Sequence, residues 1–217
     1  MDSSEQHSQD INVIAEQILR EGTMSKTRGD ERRRLLIQAA YHLIAEAGFE
    51  GLRTRNVAAR AGVNIATLHY YFARKEDLIQ GVVEYLLQQF MMAYLPGSPF
   101  EMSTPLEKIR GELAELQHLL LEKPDMFIVF YELVLRSRHD PAIQHMIKWL
   151  DKGWHSYLAQ VIRDGREQGI FRSDLDPDST ATRLIQLNKG TALHWMTHPE
   201  AVDFDQIRAD VERWLTS

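Results

Sequence analysis

Residues 52–75 read LRTRNVAARAGVNIATLHYYFARK, and this stretch decides the fold of the N-terminal part of the chain. It predicts two short helices joined by a tight turn at Gly62, with Ala58 small enough to lie where the helices cross. Thr54 is predicted to cap the first helix and Asn64 the second, because each side chain can accept a hydrogen bond from an open N–H group. The pattern is that of a helix-turn-helix, which presents the start of its second helix to the major groove of DNA. An ordinary helical hairpin would not require this order together with flanking arginines.

The candidate DNA contacts are side chains of the second helix and of its flanks. Ile65 and Ala66 face the groove and are expected to meet bases only through apolar contact, for example with thymine methyl groups. Arg53 and Arg55 lie beside the start of the first helix, where phosphate binding is favoured. Lys75 lies at the start of the helix that follows. The predicted DNA-binding residues are Arg53, Thr54, Arg55, Asn64, Ile65, Ala66, Thr67, His69, Tyr70, Tyr71 and Lys75, with Thr67, His69, Tyr70, Tyr71 and Lys75 on phosphates.

A third helix is predicted upstream, over residues 31–47, from apolar residues at steps of three and four, and Gly48 is expected to end it. Over about fifty residues the order A-x-x-x-x-x-x-A-G-F, T-x-x-x-x-A-x-x-A-G-V, T-L-x-Y-x-F and K-x-x-L resembles the TetR (tetracycline-repressor-like) family of bacterial transcription regulators. The chain departs from the family at His69, where members usually carry Tyr, so a contact made there can become pH-sensitive.

Net charge supports DNA binding once it is divided along the chain. The whole chain carries −6, whereas residues 26–80 hold ten Lys or Arg against six Asp or Glu. The positive charge therefore lies where a phosphate backbone would be met, and this local sign governs binding.

Composition limits the remaining classes of protein. The chain has 217 residues and no cysteine, so disulfides and thiolate metal sites are excluded. The longest apolar run, residues 127–135, is too short to span a bilayer, and the acidic, polar N-terminus does not read as a signal peptide. We therefore expect a cytoplasmic protein with no membrane partner. No nucleophile, phosphate-loop or zinc-protease motif is present, so neither catalysis nor a cofactor is expected.

The sequence predicts an all-α protein in three parts. Residues 1–29 form an N-terminal extension in which apolar residues 11–19 predict a short docking helix, although Met24 also reads as a natural start. Residues 30–76 form the helix-turn-helix domain. Residues 77–217 form a helical effector-binding and dimerisation domain, whose helices are predicted over residues 76–95, 105–121, 124–138, 141–169, 176–197 and 205–215.

Apolar residues of the C-terminal domain have two candidate roles. The resemblance implies that the last two helices pair with their copies in a homodimer, and four small residues there would allow close approach: Thr180, Ala181, Gly190 and Ala192. A dimer would also read a palindrome, since one helix-turn-helix contacts too few base pairs. The resemblance further implies a cavity for a small hydrophobic or aromatic effector, and its candidate lining is Met91, Met92, Phe127, Phe130, Tyr131, Trp149, Trp154, His155 and Trp195. The alternative role for each of these residues is packing in the hydrophobic core.

His194 and His198 have a metal-compatible spacing, but no third ligand is evident and no metal is expected. The sequence therefore predicts a sequence-specific transcription regulator, a repressor released from a palindromic operator by a small hydrophobic ligand. Two alternatives stay open at this point. One is a constitutive DNA-binding protein without an effector, and the other is a helical ligand-binding protein with a vestigial DNA-binding motif.

Overall fold

The computed structural model of the chain describes residues 27–92 and 104–217, apart from the side chains of Met91 and Met92. The described residues form helices and no strand, which confirms the all-α class. The helices are α1 (Arg28–Gly51), α2 (Thr54–Arg60), α3 (Ile65–Tyr71), α4 (Lys75–Met92), α5 (Pro105–Glu122), α6 (Pro124–Arg136), α7 (Pro141–Glu167), α8 (Pro177–Trp195) and α9 (Phe204–Thr216), with a short 3₁₀ turn at Pro199–Ala201. The docking helix predicted over residues 11–19 lies outside the described residues.

Local side-chain hydrogen bonds explain where several helices begin. Thr27 and Asp30 form a reciprocal capping box that starts α1 three residues earlier than predicted. Thr104 starts α5 in the same way, and Asp176 caps α8 by accepting from the Ser179 N–H at 2.8 Å. Gly48 is predicted to end α1; its φ of +60° does take the backbone out of the helical conformation there, but α1 resumes and runs to Gly51.

The described residues divide into two compact units, one formed by residues 27–92 and 128–147 and the other by residues 104–127 and 148–217. In the first, which we call the DNA-binding unit, α1 packs against α2 and α4. Gly81 of α4 lets α1 approach closely, because a Cβ atom there would lie 2.9 Å from Ile37 Cδ1. Leu36, Ala40 and Ile44 of α1 are fully buried in this unit.

The second, which we call the effector unit after the role that the sequence predicts for the C-terminal domain, is built around one apolar cluster to which α5, α7, α8 and α9 contribute: Ile109, Leu113, Leu158, Ala159, Val161, Ile162, Phe171, Leu175, Ala181, Leu184, Ile185, Val211 and Leu215. Gly165 faces the Phe171 ring so closely that a Cβ atom would lie 2.0 Å from Cδ2. Arg110 of α5 and Glu212 of α9 pair through two hydrogen bonds of 2.7 Å. No helix within residues 27–92 and 104–217 is long and apolar enough to cross a membrane.

Candidate nucleic-acid interface

The turn between α2 and α3 is fixed by backbone hydrogen bonds and by one glycine. Gly62 has a φ of +68°, and the Val63 N–H donates to the Ala58 carbonyl at 3.0 Å. Ala58 is 2% exposed, so a larger side chain there would separate the two helices. The predicted helix-turn-helix, with its small residue and its glycine, is confirmed.

Asn64 holds the first turn of α3 in place. Its Oδ1 accepts from the Thr67 N–H at 2.7 Å and from the Thr67 hydroxyl at 2.9 Å. This confirms the predicted cap. The predicted cap of α2 is wrong, because Thr54 is already the first helical residue and Arg53 occupies the cap position without a side-chain hydrogen bond. The backbone is still extended at Arg53, whose carbonyl accepts the first helical hydrogen bond from the Val57 N–H at 3.0 Å.

One side of α3 is anchored in the core and the other is exposed. Leu68 and the following Phe72 are nearly fully buried, and the Arg33 guanidinium lies 5.4 Å from the Phe72 ring centroid. Ile65 is 43% exposed and Tyr70 is 83% exposed, which is unusual for large apolar and aromatic side chains of a short helix. Among the other predicted contacts, the exposed ones are Arg53, Arg55, Asn64, Ala66, His69 and Lys75, and the half-buried ones are Thr54, Thr67 and Tyr71.

The exposed cations differ in how firmly they are already paired. Arg60 of α2 donates two hydrogen bonds of 2.5 Å to the Glu46 carboxylate of α1, a contact between residues fourteen apart that sequence reasoning missed. Arg74 pairs with Asp77 at 3.2 Å. Within the described part of the chain, Arg53 and Arg55 form no ion pair, so their guanidinium groups are available to phosphates.

Lys75 begins α4 next to the helix-turn-helix. Lys75 is exposed, but partial desolvation lowers the pKa of its ammonium group, the nearby positive charge of Arg136 lowers it further, and Glu76 opposes both effects. The same Arg136 lies over the Phe49 ring at 4.8 Å, so the end of α6 contacts the segment that leads into α2. A phosphate oxygen beside Lys75 would relieve the electrostatic penalty on its charge.

The predicted effector residues lie in both units, and the structure groups only some of them. In the DNA-binding unit, Phe130 forms edge contacts with Tyr131 and with Phe90, at ring-centroid distances of 5.3 and 5.9 Å. In the effector unit, Trp154 donates from Nε1 to Glu112 at 3.1 Å. Phe127 is buried in the effector unit, while Trp149 and Trp195 are half-buried. The side chains of Met91 and Met92 lie outside the described residues.

His155 already has a structural contact, since its Nε2 lies 3.0 Å from the carbonyl oxygen of Asp178. This bond joins α7 to the first turn of α8. The effector unit also has a surface pocket of about 380 Å³, lined by Gln117 and residues 200–205. No residue of the predicted effector set lines it, and its walls are mostly polar.

Sequence reasoning also missed two buried acidic residues. It singled out neither Glu112 nor Glu115 of α5, yet each is only 6% exposed. A signal was available, because Glu112 follows Ile109 by three residues and precedes Leu116 by four, inside the apolar stripe of the helix.

Comparison with known proteins identifies the family. The family described as "Bacterial regulatory proteins, tetR family" matches residues 36–82, which include the whole helix-turn-helix. The family described as "BetI-type transcriptional repressor, C-terminal" matches residues 105–217, more than half of the chain. The chain belongs to the TetR family.

TetR-family relatives resemble this chain over most of its length. It is 27% identical to the HTH-type transcriptional regulator PksA of Bacillus subtilis over 188 residues, which are 87% of this chain and 90% of the relative. It is also similar to the solved structure of a putative transcriptional regulator from Saccharomonospora viridis in complex with choline, at 25% identity and a TM-score of 0.68, covering 85% of this chain and 95% of that chain. The structure of FadR from Bacillus subtilis in complex with stearoyl-CoA gives 24% identity and a TM-score of 0.68, covering 85% and 97%. The chain is therefore a DNA-binding transcription regulator and not an enzyme.

Proposed function

We propose that this TetR-family protein is a dimeric repressor that binds a palindromic operator in the cytoplasm and leaves it when a small ligand binds the C-terminal domain, residues 77–217. The main support for the proposed DNA contacts is that one side of α3 is exposed. Tyr70 is 83% exposed, whereas Leu68 of the same helix is buried in the core. Asn64 caps the first turn of the helix. Exposed Arg53 and Arg55 add positive charge on the preceding helix.

The residue types on α3 suggest how contacts are divided. Ile65 and Ala66 supply apolar contact to bases, whereas Thr67, His69, Tyr70 and Tyr71 supply hydroxyl or imidazole groups for phosphates. Tyr70 and Tyr71 meet edge-on at 5.1 Å, so each ring restricts the other. Contacts to phosphate set the register of the protein on DNA without reading the sequence themselves.

Genomic DNA fragments selected by the purified protein, followed by salt titration of the best fragment, test this assignment. We expect a palindromic consensus and an affinity that falls steeply with salt. Tyr70→Ala should weaken binding to all bound sequences by about 1–3 kcal/mol. Leu135→Ala is the matched control, since Leu135 is 66% exposed in the same unit but outside the helix-turn-helix. Equal affinity for random DNA at every salt concentration would contradict the proposal.

The dimer is proposed to form through α8 and α9, and the structure changes which residues would serve. Thr180, Ala181 and Ala192 are buried within the subunit, so they pack its own core. Gly190 is exposed, with no atom within 4 Å of a Cβ built there, and Leu193 is 52% exposed. These two residues belong to an exposed stripe of α8 at helical spacing: Arg183, Gln186, Gly190 and Leu193. The stripe offers close backbone approach at Gly190 and an apolar side chain at Leu193.

Effector release is supported by the family and by the ligands named for two related structures, choline and stearoyl-CoA. These ligands differ in size and charge, so they do not select one for this chain. Release requires that the effector bind the DNA-free conformation more tightly than the DNA-bound one. A ligand that stabilises the protein without changing its operator affinity would favour the constitutive alternative.

A further inference from the structure

Two carboxylates lie in the interior of the effector unit. Glu112 and Glu115 are three residues apart on α5, so they lie on neighbouring positions of the same side of the helix. Each is 6% exposed, whereas Glu122 of the same helix is exposed. Glutamate is almost never this buried unless it is paired, so the hydrogen-bond partners of each carboxylate matter.

Aromatic side chains of α7 lie beside Glu112. The Trp154 Nε1–H donates to Glu112 Oε2 at 3.1 Å, and Trp154 also packs against the apolar cluster of the unit. Tyr157 is close enough for the charge of Glu112 to act on it. Tyr157 is 38% exposed; its partial burial first, and then that charge, raise its pKa to about 12. This side of α5 therefore combines negative charge with aromatic rings.

The Glu115 carboxylate is only partly compensated by the residues that the structure describes. Its Oε2 is buried and has no hydrogen-bond partner in the part of the chain that the structure describes. Burial raises the pKa of Glu115, and the charges of His118 and Lys123 only partly oppose this.

A second oxygen in the same unit has the same property. Asn188 of α8 is 5% exposed, and its Oδ1 is buried without a hydrogen-bond partner. The helix that carries it packs against α5. Among the described side-chain oxygens, Glu115 Oε2 and Asn188 Oδ1 are the buried ones without a hydrogen-bond partner. Both are acceptors, so what each needs is a hydrogen-bond donor.

A buried acceptor without a donor costs free energy, and a buried negative charge without a partner costs more. A bound group that carries positive charge and N–H donors would remove both costs at once, and aromatic rings beside it would add cation–π attraction. A metal ion fits less well, because no group of three His, Asp or Glu residues suited to a metal occurs in the described part of the chain.

We propose that Glu115, together with Glu112 and Trp154, binds a protonated amine on an otherwise apolar effector. This inference rests on the proposed function, because it assigns a chemical class to the ligand of the effector unit. It also narrows the prediction of a hydrophobic effector: the body of the ligand is apolar, and one end is an ammonium group with N–H donors. A quaternary ammonium, which lacks N–H donors, would leave Glu115 Oε2 without a hydrogen bond.

Matched pairs of amines and alcohols test the proposal on the full-length protein. The pairs are hexylamine and hexanol, 4-phenylbutylamine and 4-phenylbutanol, and 1-naphthylmethylamine and 1-naphthylmethanol. Each pair shares its apolar body and differs in the charged group. Binding is measured by calorimetry and by the shift in melting temperature near neutral pH. We expect at least one amine to bind about tenfold or more tightly than its alcohol, which corresponds to about 1.4 kcal/mol.

Variants then test whether the two buried carboxylates cause the preference for the amine. Glu115→Gln removes the charge and keeps the shape, so it should abolish the preference for the amine, and Glu112→Gln should reduce it. Glu122→Gln removes the same charge from an exposed position of the same helix and should keep the preference. Circular dichroism verifies the fold of each variant. If Glu115→Gln does not fold, a reduced preference in Glu112→Gln carries the test.

Two results would overturn the inference: no amine binding more tightly than its alcohol, or a preference that persists in the folded Glu115→Gln and Glu112→Gln proteins. Operator binding by the wild-type protein is measured in parallel, without and with amine. If the protein binds its operator while amines show no preference, the inference alone fails. If amines are preferred but no operator is bound, the proposed function fails instead.

Discussion

Replacing Arg55, an exposed arginine of α2, should make operator binding less dependent on salt concentration. Arg55 is exposed and forms no ion pair among the described residues, so Arg55→Ala removes a free guanidinium. Each phosphate contact contributes about 0.9 to the slope of log K against log salt concentration. A dimer on a palindrome makes the contact twice, so the slope should flatten by about 1.8.

Arg60→Gln is the matched control, because it removes the same charge from the same helix. Arg60 is held by two hydrogen bonds to Glu46, so it is not free to contact phosphate. An exposed pair of this kind contributes at most about 1 kcal/mol to stability, so the variant should still fold. Its salt slope should be close to that of the wild-type protein.

Fluorescence anisotropy of a labelled operator at several potassium chloride concentrations measures both slopes. Arg55→Ala should weaken binding to every operator sequence alike, since phosphate contacts carry no sequence information. Equal flattening in both variants would mean that only net charge matters. An unchanged slope in Arg55→Ala would show that α2 does not bring this residue to the phosphate backbone.

Three further predictions follow from contacts in the effector unit. Gly190→Arg should convert the dimer to a monomer in light scattering, because the exposed stripe of α8 would then carry a bulky charge; an unchanged mass would move the interface elsewhere. Gly165→Ala should lower the free energy of unfolding by about 1–3 kcal/mol, because its Cβ would overlap the buried Phe171 ring, and an unchanged denaturation midpoint would refute this. Glu115→Gln should raise the melting temperature near neutral pH. Burial raises the pKa of Glu115 in the folded state, so the stability of the wild-type protein falls as pH rises through that pKa. The gain in melting temperature should therefore vanish in acid, below the pKa that Glu115 has in the unfolded chain. A gain in melting temperature that does not depend on pH would contradict the assignment.

The sequence by itself determined the secondary structure and the DNA-binding motif. Asn64 caps α3 and Gly62 forms the turn, as predicted, and Gly48 takes the backbone out of the helical conformation within α1. These features depend on groups within a few residues of each other, namely open N–H groups, side-chain acceptors and the freedom of glycine to adopt a positive φ. The order of such local signals was sufficient to indicate the family.

Tertiary structure decided which side chains are buried and which remain exposed. Thr180 and Ala181 read as candidates for a subunit seam, but they pack inside their own subunit, and Gly190 stays open. Glu112 and Glu115 carry charges that favour solvent, but they lie inside the effector unit. The physical reason is that burial depends on helices distant in sequence, since α7 supplies the Trp154 that contacts Glu112 forty-two residues earlier. Helical periodicity gives the side of a helix on which a residue lies, whereas the fold decides what covers that side.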